Sequence, residues 1–214
     1  MKKVKYFKKY GVYAVLSMSV ALSSCKKDEV EPPKVENEEE VITDIKLIFT
    51  NNANPLDIVM ASAKDPDGAG VKELEILNPI NLDTSKTYVL TMRVMNNLEI
   101  PGEDLTIEIA KEGKDHQLFY SFTDNAFANP LGNGNIDNAK DAVKYNDIDE
   151  KGNPIGLSTT WVTNKNILKD GKFKLRLQHQ PDIKSVTTGS SDGDTDFELE
   201  FVLNIGKAAV LIEK

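Results

Sequence analysis

The chain of 214 residues has one cysteine, one tryptophan and two histidines, and each scarcity removes a class of function. A single thiol, Cys25, leaves no partner for an internal disulfide, and nothing after it supplies a cysteine nucleophile or a cysteine metal cluster. Nowhere is there a run of the ~18 or more apolar residues that a membrane-spanning helix requires. The sequence contains no His-Glu-x-x-His and no phosphate-binding Gly-x-x-x-x-Gly-Lys-Ser/Thr. Gly132-Asn133-Gly134 lacks both a third glycine and a strand–helix context, so it reads as a loop. Paired carboxylates are too frequent among 34 acidic residues for any pair to stand out. The expectation is a protein that is not an enzyme.

What is present is organised from the N-terminus. Lys2, Lys3, Lys5, Lys8 and Lys9 form a basic head free of acids, and the apolar stretch GVYAVLSMSVAL follows it. A basic head, a short apolar run and small residues are the layout of a secretory signal peptide, here residues 1–24. Leu22-Ser23-Ser24-Cys25 then resembles a bacterial lipobox, in which the cysteine thiol is diacylated and the chain is cut just before it. One unpaired thiol suits that use.

Residues 25–40 carry two prolines, no aromatic residue and a heavy acidic excess, CKKDEVEPPKVENEEE. Such a segment buries too little apolar surface to offset its ordering entropy, which predicts a disordered tether. Its lysine and acid block after Cys25 resembles the export signal of surface lipoproteins in the Bacteroidota. That favours the cell surface over the periplasmic face of the outer membrane. Setting aside the five signal lysines, the formal charge of −8 becomes −13. So acidic a body repels phosphate backbones, and nucleic acid is not an expected partner.

Residues 41–214 read mainly in period two. KFKLRLQHQ sets Phe173, Leu175, Leu177 and His179 on one face, and DFELEFVLNI does so with Phe197, Leu199, Phe201, Leu203 and Ile205. TDIKLIF, TYVLTMRV and HQLFYSF alternate in the same way, while PIGLSTTWVT and PLDIVMAS add two more segments. Half-buried antiparallel strands give this pattern, and DPDGAG, NLDTSK, DEKGNP, LKDG and SSDGD supply turns between them. The expected fold is all-β, an immunoglobulin-like antiparallel β-sandwich of about 7–8 strands. PGEDLTIEIAKEG reads as one short helix at an end of the sandwich, with Leu105, Ile109 and Ala110 on its inner side. Its β-branched Thr106, Ile107 and Ile109 keep a strand as the competing reading.

The successive strings EEEVITDIKLIFT, DPDGAG, TYVLTMRVMNN, GKDHQLFY, KGNPIGL, LRLQHQPDIKS and SDGDTDFELEFVLNI resemble a Bacteroidota lipoprotein family often labelled "type 1 periplasmic binding fold superfamily protein". The likeness spans nearly the whole body. The label's wording implies a doubly wound α/β fold, whereas the period-two pattern predicts a sandwich.

Both histidines fall on inward strand faces. His116 starts its strand in phase with Leu118 and Tyr120, and His179 ends its strand in phase with Leu175 and Leu177. Converging at one end of the sandwich with Asp115, Asp182 or an acid of SDGDTD, they would make a mixed histidine–carboxylate site for zinc or a similar divalent ion. The alternative is a pair of core-edge histidines bonded to loop carbonyls. Asp65-x-Asp67, Asp147-x-Asp149 and Asp192-x-Asp194-x-Asp196 each resemble part of a calcium loop, although none is completed by a glutamate at the twelfth position. Ordinary Asp-Gly turns explain the same residues.

The long loop 123–142 is rich in Asn and Gly, and Phe127 and Leu131 either pin it to the sandwich or are displayed for a ligand. The expectation overall is a lipid-anchored outer-membrane module. It captures a metal ion or small solute, beside an outer-membrane uptake receptor. The rival is a structural or adhesive surface protein that binds a macromolecule through the 123–142 loop.

Overall fold

The computed structural model describes residues 41–65, 67, 73–137 and 141–207. The predicted signal segment 1–24, Cys25 and the rest of the tether to residue 40 lie outside the described residues. Eleven strands and one helix follow in order: β1 (Asp44–Asn51), β2 (Ile58–Lys64), β3 (Glu75–Ile76), β4 (Ile80–Asp83), β5 (Thr87–Asn96), β6 (Glu103–Asp104), α1 (Leu105–Lys111), β7 (His116–Phe122), β8 (Phe127–Asn129), β9 (Ser158–Thr163), β10 (Leu168–His179) and β11 (Asp194–Gly206). One sheet runs β3-β2-β1-β5-β9-β8 with β6 also on β5, and the other runs β4-β11-β10-β7.

The fold is all-β, as the alternation predicts, and residues of both sheets contribute to one apolar core. Leu47 and Phe49 of β1, Leu90 of β5, Leu175 of β10 and Phe201 of β11 are each fully buried, while their sequence neighbours Ile48, Thr91, Lys174 and Glu200 are not. Side chains two apart share one face of a pleated strand, so the same phase that patterns the sequence sorts core from solvent. At the centre stands Trp161 on β9, with ring centroids 5.1 Å from Phe173 of the opposite sheet, 5.5 Å from Tyr120 and 4.8 Å from Phe127. Its indole N–H donates to the Thr159 hydroxyl at 2.7 Å, so a fully buried donor is satisfied.

Several expectations are corrected. There are more strands than the seven or eight predicted, because β3, β6 and β8 are only two or three residues long, too short for a periodic signal. Asn81–Asp83, read as part of a turn, belong to β4, which pairs with β11 in parallel, so the sheets are not wholly antiparallel. LKDG is not a turn either. It opens β10 as an irregularity in the ladder between Leu168 and Gly171, with Asp170 at φ 53°. The helix is shorter than its segment, capped by the Asp104 carboxylate that accepts from Thr106 N; Leu105 and Ile109 are buried as predicted, but Ala110 is exposed. The alternation of strands with long helices that the family label implies is absent among the described residues, where the one helix has seven residues.

The long loop divides at its start. Phe127 forms the edge strand β8 and is 1% exposed, packed at 5.1 Å from Phe122, whereas Leu131 is 73% exposed. Gly134 sits at φ +94° where a β-carbon would come within 2.1 Å of the Tyr120 carbonyl oxygen, so only glycine lets the loop lie this close to β7. Phe127→Ala is therefore expected to cost about 3–5 kcal/mol in urea denaturation. Leu131→Ala should stay within about 0.5 kcal/mol of the parent.

Candidate functional site

His116 is the first residue of β7 and His179 the last of β10, and their α-carbons are direct partners in the β7–β10 ladder. Cross-strand partners on one face bring side chains into contact, and the two imidazoles stack with centroids 4.7 Å apart and planes at 29°. Both are buried, at 1% and 7% exposure. His116 Nδ1 lies 3.3 Å from the Glu112 carbonyl oxygen, which can only accept, so Nδ1 carries the proton and Nε2 presents its lone pair. That lone pair faces Asp196 Oδ2 at 3.8 Å.

A β-bulge carries the carboxylate there. Leu177 pairs with Phe197 but Gln178 pairs with Thr195, so Asp196 is the extra residue on β11 and leaves the regular alternation. Gly193, just before β11, has φ +84°, and a β-carbon on it would sit 2.1 Å from the His179 carbonyl oxygen. Glycine at this position lets the incoming chain press against the end of β10.

Over this end folds the segment 180–193. Gln180, fully buried, donates from Nε2 to the carbonyls of Gly189 and Asp192, both at 2.9 Å, and Gln178 Nε2 donates to the same Asp192 carbonyl at 3.2 Å. Lys184 reaches in from it. Its ammonium donates to the carbonyls of Gly113 at 2.5 Å and His116 at 2.8 Å and pairs with Asp149 Oδ2 at 3.2 Å, with both side chains 1% exposed. Those three acceptors match its three N–H donors. Burial pushes the Lys184 ammonium down from its ordinary pKa, with Asp149 pulling the other way. Burial would raise Asp149, but the backbone N–H of Asn153, the Lys184 ammonium and the Asn153 side chain together hold its carboxyl below the usual range. Burial first, and then the neighbouring His179, lower His116 to about 4, against the opposite pull of the Glu112 carbonyl and Asp115; Lys184 adds the smallest push downward.

The structure thus brings His116 and His179 together. The carboxylate facing them is that of Asp196, while Asp115 takes the Lys114 ammonium. Asp194 and Asp196 belong to strand β11 rather than to a calcium-like turn. Asp65 Oδ1 accepts from Asp67 N at 3.0 Å, Asp192 Oδ2 from Gly189 N at 2.7 Å, and Asp147 from Gly156 N and Ser158 N. Backbone donors hold these turns together. Among the described residues no three His, Cys, Asp or Glu side chains already stand in the geometry of a metal cage. Lys184 and the bulge at Asp196 escaped sequence reasoning, since a lone lysine and an extra strand residue leave no periodic trace, and Asp149, named there only for a calcium-like turn, is the partner of Lys184. Away from this end, a shallow groove of about 580 Å³ runs beside α1, lined by Ile48, Ile107 and Leu157 and by Arg93, which pairs with Asp104 at 3.2 Å.

Two outcomes follow from the buried charges. Lys184→Met leaves Asp149 buried without its cation and is expected to cost about 3–5 kcal/mol by chemical denaturation. His116 has a folded pKa below the unfolded ~6.5, so the unfolded chain binds more protons between those values and stability falls as pH drops from ~6.5 toward ~4. Its share is about 3 kcal/mol, fully present above ~6.5. Unfolding midpoints over this range, in chelator, should lose that component in His116→Gln.

No protein-family model, curated protein or solved structure matches the chain.

Proposed function

We propose that the chain is a lipid-anchored, non-enzymatic binding protein of the outer membrane, displayed on the cell surface, that captures a metal ion or small solute for an outer-membrane uptake receptor. The observation that carries this reading is the convergence of His116, His179 and Asp196 at one end of the sandwich, under a segment tied down by Lys184. Immunoglobulin-like sandwiches hold their binding groups at such ends, where connecting loops cluster on a rigid frame. The lipobox-like Leu22–Cys25 and the acidic tether support the anchor and its reach from the membrane. Among the described residues no helix is long and apolar enough to cross a membrane, so the anchor reading rests on Cys25. A receptor as partner rests on the family resemblance alone.

Cys25→Ala is expected to move the protein from the membrane fraction to the soluble fraction, because a body of charge −13 has no other attraction for an anionic lipid face. A variant that still pellets with membranes in high salt contradicts the anchor. Alanines at Lys26–Glu29 should preserve lipidation but lower protease accessibility on intact cells. Unchanged accessibility would assign export to some other feature.

A further inference from the structure

We infer that the histidine end is a site for a single zinc-class transition dication, held by His116 Nε2, Asp196 Oδ2 and the His179 imidazole. This rests on the capture reading above and narrows its ligand. His116 Nε2 and Asp196 Oδ2 are both acceptors once Nδ1 is committed to the Glu112 carbonyl, and they face each other at 3.8 Å, too far for a hydrogen bond. An ion with ligand distances of ~2.0–2.2 Å spans up to ~4 Å between two ligand atoms, so one cation fits between them. The Glu112 carbonyl does for His116 what outer-shell acceptors do at metal centres. It fixes the tautomer and the ring orientation.

His179 completes the set by leaving its stack. Two rings at 29° direct their in-plane lone pairs side by side rather than at one point, so His179 must turn to serve as a third ligand. A turn of the His179 side chain brings a ring nitrogen toward the ion while β10 stays in register with β7. The bulge at Asp196 matters for the same reason, because a regular β11 would put residue 196 on the outer face. Two imidazole nitrogens and one carboxylate select a borderline ion over calcium, which takes six to eight oxygens. A water fills the fourth position of such a tetrahedral site.

The test is calorimetric titration of the full lipoprotein in detergent at neutral pH with zinc chloride and, separately, calcium chloride. One zinc per chain and no calcium heat are expected. Asp196→Asn and His179→Gln should each weaken zinc at least about tenfold, and His116→Gln should remove it. Zinc bound with unchanged affinity by Asp196→Asn and His179→Gln, or not bound by the parent, overturns the inference. A parent that binds a metal-free solute at this end, lost in His116→Gln, keeps the capture reading and overturns the zinc assignment. Release of Cys25→Ala from membranes is independent of either. Should a variant fail to fold, imidazole nitrogen resonances of the parent decide. With only two histidines in the chain, zinc should move His116 Nε2 and a His179 nitrogen and leave His116 Nδ1 in place, and unmoved signals overturn the site.

Discussion

The buried ammonium of Lys184 is the contact on which the histidine end depends. It lies on the segment after β10, yet its three acceptors come from the turn after α1, the head of β7 and the long connection before β9. One charge therefore ties three stretches of chain together, beside the bond that the Leu118 N–H donates to the Ile155 carbonyl at 2.7 Å. An ion pair in this setting gains little over an apolar pair of equal shape, and its effect is on geometry. Removing one member strands the other, so alternative loop arrangements are disfavoured. With the head of β7 held by Lys184 and its ladder to β10 intact, His116 cannot slide away from His179.

The second constraint is the mismatch between two ladders on β10. Toward β7 the pairing runs without interruption from Phe173 to His179, whereas toward β11 it slips by one residue at Asp196. A slip reverses the facing of everything beyond it. Thr195 consequently meets Gln178 on the outer side, and the Asp196 carboxylate is left against the ring of His116. The apolar core below this point is ordinary sandwich packing, and the polar cluster above it is where the fold departs from its own period. Local departures of this kind are where a fold makes room for chemistry.

The sandwich itself was legible in the sequence because burial on one face writes a period of two, which the longer strands carry except β7, where six of seven residues are buried. The inward phase of His116 and His179 was legible for the same reason, as was the buried Leu105–Ile109 side of the helix. The short strands β3, β6 and β8 were not, since two or three residues hold no period. Nor was the slip at Asp196, because a bulge appears only when two strands are compared. The Asp-x-Asp spacings misled in a physical sense: a carboxylate two residues before a free N–H is as well suited to closing a turn as to holding calcium. The proposed tether and anchor rest on composition and on the residues around Cys25 alone, and they bear on where the proposed site would work rather than on how it is built.

The proposed capture site unites these features, with the bulge supplying a carboxylate, the ladder supplying two imidazoles and Lys184 holding the frame around them. Anomalous X-ray diffraction at the zinc edge, from crystals grown with zinc at neutral pH, tests it most directly. A single peak is expected about 2.0–2.2 Å from both His116 Nε2 and Asp196 Oδ2, with His179 turned out of its stack toward it. A map with the two imidazoles still stacked and no peak between His116 and Asp196 would contradict the account.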